Sequence, residues 1–248
     1  MQCLGIDIGG SGIKGAIVDV ATGQFISERL RIPTPLPATP QAVALATAEL
    51  VRQFGWQGPI GCGFPAVIVH GVAKTAANID ESWIGTDVSA ILAEVTGCPC
   101  FVINDADAAG VAEMRFGCGK DRMGSVIVLT LGTGIGSGMF IDGVLYPNSE
   151  LGHLRLKAGP AEHYASAAVR KNEALDWQVW AKRLNKFFTQ VERLFSPELI
   201  IIGGGVSRKH DKFFPYLKVQ AELLPAELRN QAGIIGAACL AVERLTAC

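Results

Sequence analysis

LGIDIGGSGIKGAIVD, residues 4–19, lies without a gap over IVLTLGTGIGSGMFID, residues 127–142. Gly9 falls on Gly132, Gly15 on Gly138 and Asp19 on Asp142, while Ile6 and Ile8 fall on Leu129 and Leu131. A repeat half a chain apart constrains the fold strongly, because it calls for two related lobes. Each copy reads as strand, glycine turn, strand. LGIDI alternates apolar residues, and GAIVDV is short and rich in β-branched residues.

GSGIKG matches G-x-G-x-x-G, but a dinucleotide fingerprint needs a helix after the glycines, and here a strand follows. A Walker A loop is excluded too, because Lys14 is followed by Gly15 rather than Ser or Thr. A tight turn that needs several positive φ angles is one expectation for these glycines. A turn carrying Gly9, Gly10, Ser11, Gly12 and Lys14 can also wrap an anion with its N–H groups.

The chain has 248 residues, 49% hydrophobic and 18% charged, enough for one large or two modest domains with a full core. Its net charge of −1 gives no strong field for nucleic acid or membrane. MQCLGID lacks a basic leader, and Asp7 interrupts the apolar run, so neither a signal peptide nor a membrane span is expected. Seven cysteines, an odd number, fit a reduced cytoplasmic compartment. Cys98-Pro-Cys100 has no second pair or histidine at zinc-finger spacing.

RIPTPLPATP reads as an extended connection, with Thr39 capping a helix that has Pro40 in its first turn. IGCGFPAVIV reads as buried strand, TDVSAILAEVTG as a capped helix, CFVIND as strand and ADAAGVAEMRFG as helix. VIVLTLG and GMFIDGVLY read as strands. In DWQVWAKRLNKFFTQVERLF, Trp177, Trp180, Leu184, Phe187, Phe188, Val191 and Leu194 form one apolar stripe. PELIIIGGGVS is a buried strand ending in a third glycine turn, and GIIGAACLAVERL is a helix able to pack back on the first lobe. Alternating strands and helices define an α/β class.

Glycine turns at 9–15, 132–138 and 203–205 suit a ligand with several phosphates. A kinase-type reaction then needs a metal ion and a base for the attacking hydroxyl. Asp105, where a strand ends and a helix begins, stands where ligands bind in such sheets. Asn104 or Asp105 could equally cap that helix. Glu150, His153 and Glu162 suit hydrogen bonding to sugar hydroxyls, or could be exposed loop charges.

Together DIGGSGIKGAIVD, GFPAVI, NDADAAG, LTLGTGIGSGMFIDG, ELGH and LIIIGGGVS resemble the ROK family of sugar kinases, in the same order over nearly the whole chain. The resemblance implies a two-lobed, actin-like/hexokinase-type (ribonuclease H-like) α/β fold with an interlobe cleft. It implies a small lobe of residues 1–104 and 235–248 and a large lobe of residues 105–234. Asp105 would be the catalytic base. Asn78, Asn104, Glu150, His153 and Glu162 would join it in holding the sugar. Gly9, Gly10, Ser11, Gly12 and Lys14, with Thr133, Gly134, Gly136 and Gly204, would hold phosphates. Asp7 would orient a hydrated Mg2+.

Many members carry a cysteine-rich zinc motif between the histidine and the second glutamate. Here the interval is LRLKAGPA, so no zinc is expected. The chain begins at the first strand, which leaves no expected DNA-binding segment. The compact form with NIDESW and NDADAAG is similar to the branch whose acceptor is glucose and whose donor is inorganic polyphosphate, with ATP as a lesser donor and a homodimer as the expected assembly; the alternatives are an ATP-dependent hexokinase of the same family for glucose, mannose or fructose, and a sugar-sensing regulator without catalysis. Residues 161–218 are locally basic, with Lys182, Arg183, Lys186 and Arg193 off the apolar stripe and Arg208, Lys209 and Lys212 after the third turn. A polyanion would need such a track. A solvated helix face has the same composition.

Overall fold

The computed structural model of the chain describes residues 1–77, 79–156 and 159–246. They divide into two compact units, residues 1–112 with 231–248 and residues 113–230. The division falls inside a helix, between Ala112 and Glu113, rather than before Asp105 as the sequence suggests. Its second crossing lies between Asn230 and Gln231, a few residues ahead of the expected 234/235. The first turns of that helix stay with the first unit because their small residues pack there, as Ala108 does against Gly236.

In the first unit, β1 (Gln2–Gly9) and β2 (Gly12–Asp19) form an antiparallel hairpin. β3 (Gln24–Phe25) and β4 (Leu30–Ile32) both pair with β2. Helix α1 (Pro40–Phe54) starts at Thr39, whose side chain accepts the Ala42 N–H, and stops at Gly55, which is left-handed. β5 (Ile60–Phe64) runs parallel to β1. The apolar run IGCGFPAVIV is broken at Pro65, which cannot donate to a ladder, and continues as a small hairpin of β6 (Ile68–Val69) and β7 (Val72–Ala73). Helix α2 (Val88–Thr96), capped by Asp87 and Gly97, leads to β8 (Cys100–Asn104), parallel to β5. Helix α3 (Asp105–Phe116) follows at once.

The second unit repeats this order. β9 (Ser125–Leu131) and β10 (Ile135–Ile141) form the second glycine hairpin. GMFIDGVLY, read as one strand, is itself a hairpin: β11 (Val144–Tyr146) turns back on β10 through Asp142 and Gly143, both at positive φ. Asp-Gly favours this two-residue turn, and it is the signal the strand reading passed over. β12 (Arg155–Leu156) and β13 (Gly159–Pro160) pair briefly, and α4 (Glu162–Ala165), α5 (Ala167–Asn172) and α6 (Trp177–Phe195) follow. β14 (Leu199–Gly203) and β15 (Glu222–Pro225) complete the sheet in parallel with β9.

The two sheets are ordered β3-β2-β1-β5-β8 and β11-β10-β9-β14-β15. Each therefore places its own first strand centrally, with a hairpin on one side and two parallel strands on the other. The repeat seen in the sequence is thus a repeat of topology. The copies differ by one residue in register. Gly9 pairs with Gly12 around a two-residue turn, whereas Leu131 pairs with Ile135 around Gly132-Thr133-Gly134.

Helix α7 (Ala232–Thr246) returns to the first unit. β1 presents Leu4, Ile6 and Ile8 to a core shared with α1 and α2, and Gly5 and Asp7 to the opposite face. A side chain at Gly5 or Gly61 would run into the backbone of α7 at Ile234 or Ala237. Those glycines let the helix lie directly on the sheet. In the second unit Trp180, Leu184, Phe187, Phe188 and Val191 of α6 are buried against β9 and β14. Burying each such side chain is worth about 1.5–3 kcal/mol. The stripe ends one turn early, because Leu194 is 59% exposed.

Candidate active site

In the first unit the candidate residues gather at the carboxyl ends of β1, β5 and β8. Asp7, Gly63 and Ile103 are side by side in the parallel register. Asp7 lies beside the start of α7, where a side chain at Gly233 would stand 3.5 Å from its carboxyl carbon. The positive end of that helix favours a carboxylate. Across the hairpin, Lys14 Nζ is 3.1 Å from Asp7 Oδ2. Lys14 in turn pairs with Arg31 of β4. Asp7, Lys14 and Arg31 thus form one row across three strands.

The first turn exposes Gly10 and Ser11. Its carbonyls are engaged on the outside: Thr34 donates to Gly9 O, and Arg31 Nη2 donates to Ser11 O at 2.7 Å. Arg31 and Thr34 escaped the sequence reading because only the pairing of β4 with β2 brings them to the turn. Asn104 is buried and caps α3, its Oδ1 accepting the N–H groups of Ala106 and Asp107 at 2.9 and 3.1 Å. Its Nδ2 donates to Ala66 O. The choice between the two capping candidates falls on Asn104, and Asp105 is the first residue of the helix, half-buried at the strand end. Gly63 opens space before it, 3.6 Å from the Asp105 Cα at the position a side chain would take. Asn78 lies outside the described residues.

In the second unit ELGH is fastened to β10. Ser137 donates to Ser149 O, Ser149 donates to Ser137 O, and the Leu151 N–H donates to Ser137 Oγ. A side chain at Gly152 would strike Ile135 O. Gly152 lies in ELGH and Ser137 in LTLGTGIGSGMFIDG, but nothing in either motif signals that Ser137 and Ser149 pair. Held this way, His153 stands between two carboxylates: Nδ1 is 3.8 Å from Glu150 Oε2, and Nε2 is 3.4 Å from Glu162 Oε1. His163 Nε2 is 3.7 Å from the same Glu162 oxygen, a neighbour the sequence reading did not single out. Burial pushes the Glu150 carboxyl above its ordinary value; His153 acts against this and Glu162 adds to it.

The other Glu162 oxygen accepts the Ile135 N–H at 3.4 Å, and the Ala168 N–H donates to Gly132 O at 3.0 Å. The second glycine turn, with Thr133, Gly134 and Gly136, is therefore attached directly to the carboxylate cluster. Glu150 and His153 also line a cavity of about 690 Å³ whose walls include Met139, Tyr146 and Phe195.

At the third turn, Gly204 has φ 80°, and a side chain there would collide with the Leu131 backbone. Close packing against β9 accounts for this glycine without a ligand. The basic segment is also partly committed. Arg183 donates to Glu173 Oε2 at 2.6 Å and to Tyr164 O at 3.2 Å, and Lys186 Nζ lies 2.9 Å from the Tyr164 hydroxyl. Among the described residues no group of three or more His, Cys, Asp or Glu side chains could hold a metal ion, and no helix is long and apolar enough to cross a membrane.

Residues 3–173 match the model of the ROK family. The chain is 49% identical over 243 residues to a polyphosphate glucokinase of Mycobacterium tuberculosis, covering 98% of this chain and 92% of that protein. It superposes on the inorganic polyphosphate/ATP-glucomannokinase of an Arthrobacter strain with a TM-score of 0.94 at 48% identity, covering 98% and 99% of the two chains. A ROK family glucokinase from Streptomyces griseus, solved with glucose and AMPPNP, gives a TM-score of 0.84 at 26% identity, covering 98% of this chain and all of that one.

Proposed function

Because this chain belongs to the ROK family, with the hexokinase-type fold of its sugar kinases, we propose that it is a polyphosphate-dependent glucokinase. It transfers the terminal phosphoryl group of inorganic polyphosphate to the 6-hydroxyl of glucose, with ATP as a second donor. The observation that carries this reading is the bond from the Ile135 N–H to Glu162. It fastens a phosphate-sized glycine turn to a cluster of carboxylates and imidazoles suited to sugar hydroxyls. The near full-length relatives that use polyphosphate support the choice of donor.

In this mechanism Glu150, His153 and Glu162, with Asn104 and Asn78, orient the sugar. Asp105 accepts the proton of the 6-hydroxyl as its oxygen bonds to the terminal phosphorus. The phosphoanhydride bond breaks, and the shortened chain leaves. General-base help of this kind contributes typically ~10²–10⁴-fold. Gly9, Gly10, Ser11, Gly12 and Lys14, with Thr133, Gly134 and Gly136, hold the donor phosphates, and Arg31 joins Lys14 there.

Mg2+ takes few ligands from a protein and the rest from water and phosphate. The single carboxylate of Asp7, partly exposed and in one row with Lys14 and Arg31, fits that mode. The ion would neutralise phosphate charge, with Asp7 holding its water shell. A cytoplasmic homodimer is the assembly we propose. The test is production of sugar phosphate from glucose with ATP, ADP, triphosphate and long polyphosphate in parallel. Turnover with long chains exceeding that with ATP is expected; activity confined to ATP would overturn the choice of donor.

A further inference from the structure

We infer that a cavity at the middle of α6 binds the distal phosphates of a long polyphosphate donor, an inference that rests on the proposed use of that donor. The cavity measures about 490 Å³ and is lined by Gln178, Lys182, Asn185, Tyr216, Leu217 and Lys218. Its lining therefore includes two lysines and no acidic residue. The neighbouring acids are committed elsewhere: Glu173 to Arg183, Glu192 to the N–H groups of Gln220 and Ala221, and Glu222 to Arg122. Among the described residues neither Lys182 nor Lys218 has a carboxylate within ion-pair distance.

The wall is built rather than loose. Asn185 donates to Tyr216 O at 3.0 Å and accepts the Lys218 N–H at 2.8 Å, which clasps segment 216–218 onto α6. Two lysines without an acidic partner on one such wall favour a polyanion between them.

The second glycine turn, the proposed reacting end, belongs to the same unit as the cavity. Glu162, bonded to the second glycine turn, is two residues from Tyr164. The Tyr164 hydroxyl meets Lys186 on α6. Lys182 lies one helical turn from Lys186, on the same side of the helix. The path we infer for the donor chain runs from the proposed phosphate turn over Lys186 and Lys182 to the cavity beside Lys218. Arg183 is not part of this path, because Glu173 and Tyr164 hold it.

The test compares wild-type protein with Lys182→Gln/Lys218→Gln, using long polyphosphate, triphosphate and ATP as donors at several salt concentrations. The apparent KM for long chains should rise on the order of tenfold, the sum expected for two exposed ion pairs. Its dependence on salt should become shallower, because each lost contact releases fewer counterions. KM for triphosphate, ATP and glucose should not move, and Lys182→Arg/Lys218→Arg should restore long-chain use. An unchanged long-chain KM, or an equal loss with every donor, would overturn the site and mark the cavity as a solvated groove. Wild-type protein that makes no sugar phosphate from any polyphosphate would instead overturn the donor reading, which separates the two failures.

Discussion

Asp7 and Lys14 face each other across the β1–β2 ladder, with 3.1 Å between carboxylate and ammonium. Lys14 also has Arg31 as its partner on the other side. Opposed like charges on neighbouring strands are unfavourable, so one anion is poorly matched to two cations. Bound phosphate would complete the balance. Lys14→Met should therefore raise the donor KM tenfold or more with glucose KM unchanged. The folded state should lose only about 1 kcal/mol, as for a partly exposed pair. Steady-state kinetics with each substrate varied, alongside urea unfolding, checks both halves. A Lys14→Met enzyme with unaltered donor KM would remove this row from the site.

Asp105→Asn should leave the fold and glucose affinity close to wild type, since the cap of α3 is Asn104 and not Asp105. Turnover should fall by ~10²-fold or more, the usual worth of a general base. Calorimetry with glucose and a coupled assay on the same sample separate binding from turnover. Asn104→Ala should lower stability as well as weaken the glucose contact proposed for it. It removes a buried cap worth about 1 kcal/mol, so its first effect should be on stability.

Glucose binding should carry the signature of Glu150. Burial raises the pKa of this carboxyl above its ordinary 4.5. The form that accepts hydrogen bonds from sugar hydroxyls through both oxygens is the ionised one. Affinity should accordingly decline on acidification at a higher pH than an ordinary glutamate would give. Glu150→Gln should flatten that decline and weaken binding about 5- to 150-fold, the range of 1–3 kcal/mol for a substrate hydroxyl left unpaired. Calorimetric titrations across mildly acidic pH would show it.

Glu113 gives a prediction about stability alone. It is buried at the start of the second unit, and its carboxylate accepts the N–H groups of Leu228 at 2.8 Å and Glu227 at 3.2 Å. Desolvation raises its pKa, with those two bonds acting against the rise. The folded state therefore binds this proton more tightly than the unfolded chain. The contribution to stability is fully present below the ordinary value of 4.5 and is lost as pH climbs through the raised one. The difference in unfolding free energy between wild type and Glu113→Gln should drift in that direction across the window. Glu113→Ala should cost about 1–3 kcal/mol on the acid side of that window, because two N–H groups lose their acceptor, and the cost should shrink with the same drift as pH climbs.

The sequence by itself determined the architecture and most of the candidate residues. Two glycine hairpins half a chain apart announce a duplicated sheet, because strand alternation and glycine turns are local properties of the chain. The cap at Thr39 and the capped helix of TDVSAILAEVTG were legible for the same reason. Tertiary structure alone decided which side chains share a place. Arg31 reaches the first turn only through the pairing of β4 with β2, and Ser137 and Ser149 meet only when ELGH lies along β10. It also chose between readings that sequence leaves equal. Asn104 rather than Asp105 caps α3, Gly204 answers to the Leu131 backbone, and Arg183 is held by Glu173 and Tyr164 while Lys182 faces a cavity. Propensity and periodicity act over a few neighbouring residues, whereas these outcomes depend on contacts between residues far apart in the chain, which exist only once the sheets have formed.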